Sequence, residues 1–164
     1  SNGLMNGTDT KIFAPNENLT RAMLVAVLYR NEGEPAVDEP SPFIDVEENA
    51  YFGNAVSWAH KNGIVKGISE TEFAPDINIT REQIAAMIYR YAQFKGIDVS
   101  DAASADITAY GDFASISDYA AESVRWAVGS GLINGRDESS LSPKENATRA
   151  EFAAILHRFI EGNK

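Results

Sequence analysis

Gly63-Ile64-Val65-Lys66-Gly67, a polar loop ending in Phe73-Ala74-Pro75, then Thr80-Arg81-Glu82-Gln83 opening an apolar run that closes on Tyr89-Arg90: this stretch decides the fold, because the chain repeats it. Sixty residues earlier it reads Gly3-Leu4-Met5-Asn6-Gly7, Phe13-Ala14-Pro15, Thr20-Arg21 and Tyr29-Arg30. Sixty-eight residues later it reads Gly131-Leu132-Ile133-Asn134-Gly135, Leu141-Ser142-Pro143, Thr148-Arg149 and His157-Arg158. In every copy six residues lead from the second glycine to the Phe or Leu, and nine from the Thr-Arg arginine to the closing arginine. Self-similarity at this period means an array of supersecondary units, each too small to bury its apolar face alone.

Residues 1–32 hold only the second half of a unit, and nothing before them matches Tyr51 to Asn62. An acidic, proline-bearing linker follows over 33–42. A full unit occupies 43–94, where Phe43-Ile44-Asp45-Val46 leads into a helix expected from about Ala50 to Asn62, with Phe52, Ala55, Val56 and Ala59 on one stripe. Gly63 suits the left-handed residue that ends such a helix. The second helix is expected from about Arg81 to Phe94, with Ile84, Met87, Ile88 and Tyr91 inward. A second linker spans 95–109, and the third unit fills 110–164 with helices from about Asp118 to Ser130 and from Arg149 to Glu161. The expected fold is all-α: repeated helix-loop-helix units packed as one module.

A chain of 164 residues buries roughly 70% of its unfolded surface, enough for a core without staples. The absence of cysteine excludes disulfides, thiolate metal sites and thiol nucleophiles. A net charge of −10 repels nucleic acid and anionic membranes at long range, so no nucleic-acid partner is expected. No segment approaches the ~20 apolar residues of a membrane span, so no membrane insertion is expected. The chain opens in mid-repeat, so the natural N-terminus is expected to lie upstream of it.

Thr148-Arg149-Ala150-Glu151 has the form of a capping box; Thr80 with Gln83 keeps it, and Thr20 with Met23 keeps half. Capping, at about 1 kcal/mol, accounts for the threonines. It does not account for Arg21, Arg81 and Arg149, which the helix dipole disfavours by a few tenths of a kcal/mol. Two readings are open. One is an anion ligand held by helix N-terminal amides and the arginine fork; the other is an ion pair with Asp45 or Asp112 of a neighbouring unit. They are compatible, the aspartate orienting the arginine.

Tyr51 and Trp58, like Tyr119 and Trp126, lie seven apart and share a helix face. Such a face stacks on sugar rings, although spacing alone favours packing between units. Arg30, Arg90 and Arg158 end second helices and read as complements to the dipole. The glycine pairs supply backbone conformations first and amides near a ligand second. No catalytic constellation, metal set or cofactor motif is present in the sequence: His60 and His157 occupy non-equivalent positions and lack ligand-spaced neighbours.

Taken together, Phe-x-Asp, an aromatic helix, Gly-Ile-Val-x-Gly, Phe-x-Pro and Thr-Arg-Glu resemble the S-layer homology domain, over nearly the whole chain. The resemblance implies a pseudo-threefold helical module that holds proteins non-covalently on the bacterial cell envelope, in the cell wall or S-layer. It implies, as ligand, a secondary cell-wall polysaccharide, often ending in a pyruvate ketal on N-acetylmannosamine, seated in grooves between repeats. Carried over, it implies carboxylate-clamping roles for Arg21, Arg81 and Arg149, and orienting or hydroxyl-accepting roles for Asp45 and Asp112. Tyr51 and Tyr119 take the place of a family Trp that packs on sugar, with Trp58 and Trp126 beside them. Gly7, Gly67 and Gly135 take the place of the glycine that leaves amides open. On this reading Arg81→Ala weakens wall binding and leaves the fold intact. The first copy lacks its Asp and first helix, and Met23 replaces the usual acid. That opens an alternative, a protein-binding or self-assembling repeat scaffold that self-associates through the incomplete first repeat.

Overall fold

The computed structural model describes residues 17–47, 50–100, 106–135 and 139–163. Five helices carry it: α1 (Arg21–Asn31), α2 (Gly53–Lys61), α3 (Arg81–Phe94), α4 (Ala121–Gly129) and α5 (Arg149–Gly162). Short 3-10 turns stand at Phe113–Ser115 and Asp118–Ala120, and among the described residues there is no strand. The fold is all-α.

Helices α1, α3 and α5 begin where the Thr-Arg pairs predict. The Thr20, Thr80 and Thr148 hydroxyls accept the N–H groups of Met23, Gln83 and Glu151 at 3.2, 3.3 and 3.1 Å. The reciprocal half of the box forms at Gln83, whose Oε1 accepts the Thr80 N–H at 2.9 Å. Glu151, expected to do the same, places its carboxylate 2.9 Å from Arg81 Nη1. A guanidinium is the stronger partner for a charged oxygen. The first helices start later than expected, at Gly53 and Ala121, and neither has a side-chain cap. They stop as expected, with Gly63 (φ 72°) and Gly131 (φ 75°) left-handed just past their ends.

The packed pairs are α1 with α2 and α3 with α4. Each therefore joins the second helix of one repeat to the first helix of the next. Tyr29 meets Trp58 at 5.6 Å between ring centroids, and Tyr89 meets Trp126 at 5.5 Å, the same contact in both pairs.

The starts of α1, α3 and α5 converge at the centre. Leu19, Ile79 and Ala147, each just before a capping threonine, are fully buried. So are Leu24, Ile84 and Phe152 at the fourth helical positions, the arrangement of a hydrophobic staple. The Ile79 N–H donates to Leu19 O (2.8 Å), the Ala147 N–H to Ile79 O (3.0 Å) and the Leu19 N–H to Ala147 O (3.0 Å). One turn outward the Arg21, Arg81 and Arg149 amides donate to Ile77, Glu145 and Glu17 carbonyls, each at 3.0 Å. Every copy grips the next and the third grips the first. The array is thus a closed pseudo-threefold ring and not an open solenoid.

Candidate functional site

An α-helix leaves its first N–H groups without intrahelical partners, and this was the basis for expecting an open anion site at the Thr-Arg positions. The structure uses those groups internally. In α1 the Arg21 and Ala22 amides donate to Ile77 O and Pro75 O, both at 3.0 Å, and the third goes to Thr20. In α3 the Arg81 and Glu82 amides donate to Glu145 O and Pro143 O, again at 3.0 Å, and the third goes to Thr80. These helix termini hold the neighbouring loop, so a ligand finds no free amide there.

The arginine side chains do the same. Arg21 Nε donates to Phe73 O and Nη2 to Lys66 O, both at 2.9 Å, with the guanidinium 4.8 Å over the Phe73 ring. Arg81 Nε donates to Leu141 O (2.9 Å), Nη2 to Asn134 O (2.6 Å) and Nη1 to Glu151. Arg149 is equally buried, with Nη2 3.5 Å from Glu17. Arg21 and Arg81 each cross into the next repeat and fasten its strip and loop, and Arg149 reaches Glu17 of the first repeat. The expectation that Arg81→Ala leaves the fold intact therefore does not fit its surroundings.

Asp45 and Asp112 touch neither the arginines nor open solvent alone. Asp45 accepts the Phe73 and Ala74 amides at 2.9 and 2.8 Å; Asp112 accepts the Leu141 and Ser142 amides at 2.8 Å each. Ala74 and Ser142 are left-handed, with φ of 60° and 53°, a conformation costing roughly 1–2 kcal/mol for an L-residue. The clasp offsets that cost. The expected aspartate–arginine link therefore runs through one peptide unit, Phe73–Ala74: its N–H donates to Asp45 and its carbonyl accepts from Arg21.

Two described grooves lie beside these bolts. Groove A, about 430 Å³, is lined by Arg21 of the first repeat, Lys66, Gly67, Met87 and Arg90 of the second, and Tyr119 of the third. Groove B, about 280 Å³, repeats it with Arg81, Asn134, Gly135, Glu151 and Arg158. Tyr51 lines a third depression, of about 490 Å³, with Arg30 and Glu34. Burial lowers the Arg21 and Arg90 pKa values below their ordinary range and raises that of Tyr119.

Of the expected ligand contacts, Tyr51 and Tyr119 are 67% and 56% exposed, as a stacking platform requires. Trp58 and Trp126 are not: both are buried, at 5% and 3%, against Tyr29, Phe94, Tyr89 and Phe159. Gly67 lines groove A, but a Cβ there would stand 2.4 Å from Phe43 Cε1 and from Ser69 O. Its first role is close packing. Gly7 lies outside the described residues. The sequence reading missed Arg90 and Arg158, taken only as helix-end cations. The signal was available: Gln83, Ala86, Met87 and Arg90 recur at helical spacing and line one groove, as do Glu151, Ala154, Ile155 and Arg158. It also missed buried Glu82, which accepts the Ser117 N–H (2.9 Å), the Ser117 hydroxyl (2.7 Å) and Lys144 Nζ (2.9 Å), tying α3 to the turn that carries Tyr119.

The S-layer homology domain model matches residues 1–22, 42–85 and 109–153. An endoglucanase of Bacillus sp. (strain KSM-635) is 34% identical over 96% of this chain, which spans 16% of that enzyme. The surface-layer 125 kDa protein of Lysinibacillus sphaericus is 28% identical over 97% of this chain and 13% of its own length. A cellulosome-anchoring protein of Acetivibrio thermocellus is 29% identical over 59% of this chain and 21% of its own length. The chain thus spans a small part of each relative, and a likeness to 16% of an endoglucanase carries no catalytic assignment. The matched segments contain the Thr-Arg starts, the aspartates and the glycine pairs of the repeat, and the chain belongs to the S-layer homology domain family.

Proposed function

We propose that this module anchors a protein to the bacterial cell surface by binding an acidic cell-wall polysaccharide in the grooves between repeats. The observation that carries this reading is groove A: an exposed tyrosine beside Arg21, Lys66 and Arg90, with no carboxylate among the described lining residues, in a chain of net charge −10. An aromatic face accepts the apolar side of a sugar ring, and guanidinium forks accept its acid. The surface-layer and cellulosome-anchoring names of two relatives support attachment to the envelope. A pyruvate ketal on N-acetylmannosamine supplies a carboxylate next to a ring face, the pairing that groove A complements.

Co-sedimentation with purified cell walls tests the reading, using walls before and after acid removal of the secondary polymer. Binding is expected to intact walls and lost on stripped ones. Tyr119→Ala, at an exposed position, is expected to weaken it roughly 5- to 150-fold, the worth of one base- or sugar-like stacking contact of about 1–3 kcal/mol. Undiminished binding to stripped walls would refute the polysaccharide assignment.

A further inference from the structure

Grooves A and B descend from the same repeat positions but differ in how their cations are occupied. Among the described residues, no hydrogen bond or ion pair reaches Arg21 Nη1 or the Arg90 guanidinium. Arg21 is nevertheless only 5% exposed. In groove B both counterparts are engaged: Arg81 Nη1 pairs with Glu151 at 2.9 Å, and Arg158 Nη1 donates to Leu132 O at 3.0 Å. At Nη1 the difference originates in one residue. Gln83 and Glu151 hold the same position, three residues after the capping threonine. Gln83 turns back to the Thr80 amide, whereas Glu151 crosses to the arginine. Lys66 in groove A is matched by neutral Asn134 in groove B.

We propose, building on the polysaccharide reading above, that groove A takes the ligand's carboxylate and that Glu151 already fills the corresponding place in groove B. A buried arginine with an unused donor is stabilised by an incoming anion, because a charge-assisted hydrogen bond forms where none existed. An arginine already paired gains nothing. It presents a carboxylate that repels the ligand's own, so groove B accepts at most a neutral sugar.

Methyl-resolved NMR on the full chain tests this, because Met87 lines groove A and Ile155 lines groove B. The probe is the pyruvate ketal of methyl N-acetylmannosaminide, with its methyl ester as the uncharged control. In the wild type the acid is expected to shift the Met87 methyl saturably while Ile155 stays unmoved, and the ester to lose at least about tenfold in affinity. Gln83→Glu keeps a capping side chain and is expected to weaken the Met87 response at least about tenfold. Glu151→Gln removes the carboxylate that repels the ligand and is expected to make Ile155 respond to the acid. Parallel shifts of Met87 and Ile155 in the wild type would overturn the inequivalence and leave the polysaccharide reading standing. So would a silent Ile155 in Glu151→Gln, or an ester that binds groove A as tightly as the acid. Silence of both methyls in the wild type at saturating acid would overturn the ketal reading and the inequivalence together.

Discussion

Replacing Arg81 with methionine separates a structural bolt from a ligand clamp. The arginine side chain is 9% exposed and makes three bonds: Nε to Leu141 O at 2.9 Å, Nη2 to Asn134 O at 2.6 Å, and Nη1 to Glu151 at 2.9 Å. Hydrogen bonds to charged groups contribute about 1.5–3 kcal/mol each. Their plain sum overstates the loss, because Glu151, 22% exposed, can turn to water. Breaking a buried pair by removing one partner costs about 3–5 kcal/mol, and that is the expected effect of Arg81→Met. Against a typical total of about 5–15 kcal/mol, it is a substantial share of the fold's stability.

Urea unfolding followed by far-ultraviolet circular dichroism measures it, with the slope compared between variants to confirm that the same surface unfolds. Glu151→Gln keeps an acceptor opposite Nη1 and is expected to cost less than about 1.5 kcal/mol. The double variant should then cost less than the sum of the two singles, because the pair shares one interaction. A loss below about 1 kcal/mol for Arg81→Met at unchanged slope would refute the reasoning. It would mean that the third repeat's strip and loop hold their places without the guanidinium.

Gly67→Ala is expected to cost at least about 1–3 kcal/mol by overpacking: the added Cβ meets Phe43 Cε1 and two main-chain oxygens at 2.4 to 2.5 Å. Gly111→Ala meets only Ser139 O at 3.4 Å and should stay within about 0.5 kcal/mol of wild type in the same urea assay. Burial first, and then its hydrogen bond to Glu32 (2.5 Å), raise the Tyr91 phenol pKa well above its ordinary value. The folded protein therefore keeps that proton where the unfolded chain loses it. The stabilisation is complete below about pH 10 and falls as pH rises toward the folded value. Tyr91→Phe should flatten the decline in stability between about pH 9 and 11; an unchanged alkaline slope would exclude Tyr91 as its source.

The helices were legible because local chemistry writes them. A threonine that caps, an apolar staple and a 3.6-residue stripe specify α1, α3 and α5 without reference to the rest of the chain. The role of Arg21 and Arg81 was not legible, because their main partners are main-chain carbonyls 45 to 60 residues away. Carbonyls leave no mark in the side-chain pattern, so the reading looked for charged partners: an anionic ligand, or Asp45 and Asp112. Those aspartates do act on the arginines, through the Phe73 and Leu141 peptides. The tryptophans misled for a related reason. Their seven-residue spacing from Tyr51 and Tyr119 suggested one face, yet both tyrosines precede the α-helical segments. The tyrosines are left in solvent while the tryptophans enter the α1–α2 and α3–α4 contacts.

The guanidinium geometry explains how one module can keep its fold fixed and still vary its grooves. Nε and Nη2 of Arg21 and Arg81 are committed to carbonyls in the same way in both copies. Only Nη1 differs between them. The residue that decides its fate, Gln83 or Glu151, serves the fold through its backbone N–H, which donates to the capping threonine hydroxyl whatever the side chain. Its side chain adds a second bond, to the Thr80 N–H from Gln83 or to Arg81 from Glu151, at the point where it borders the groove. Met23 shows that the cap forms without an oxygen-bearing side chain: its N–H donates to the Thr20 hydroxyl at 3.2 Å. Substitutions at this position should accordingly move ligand preference far more than stability. Substitutions of the adjacent arginines, one residue past the same threonines, should cost stability as well.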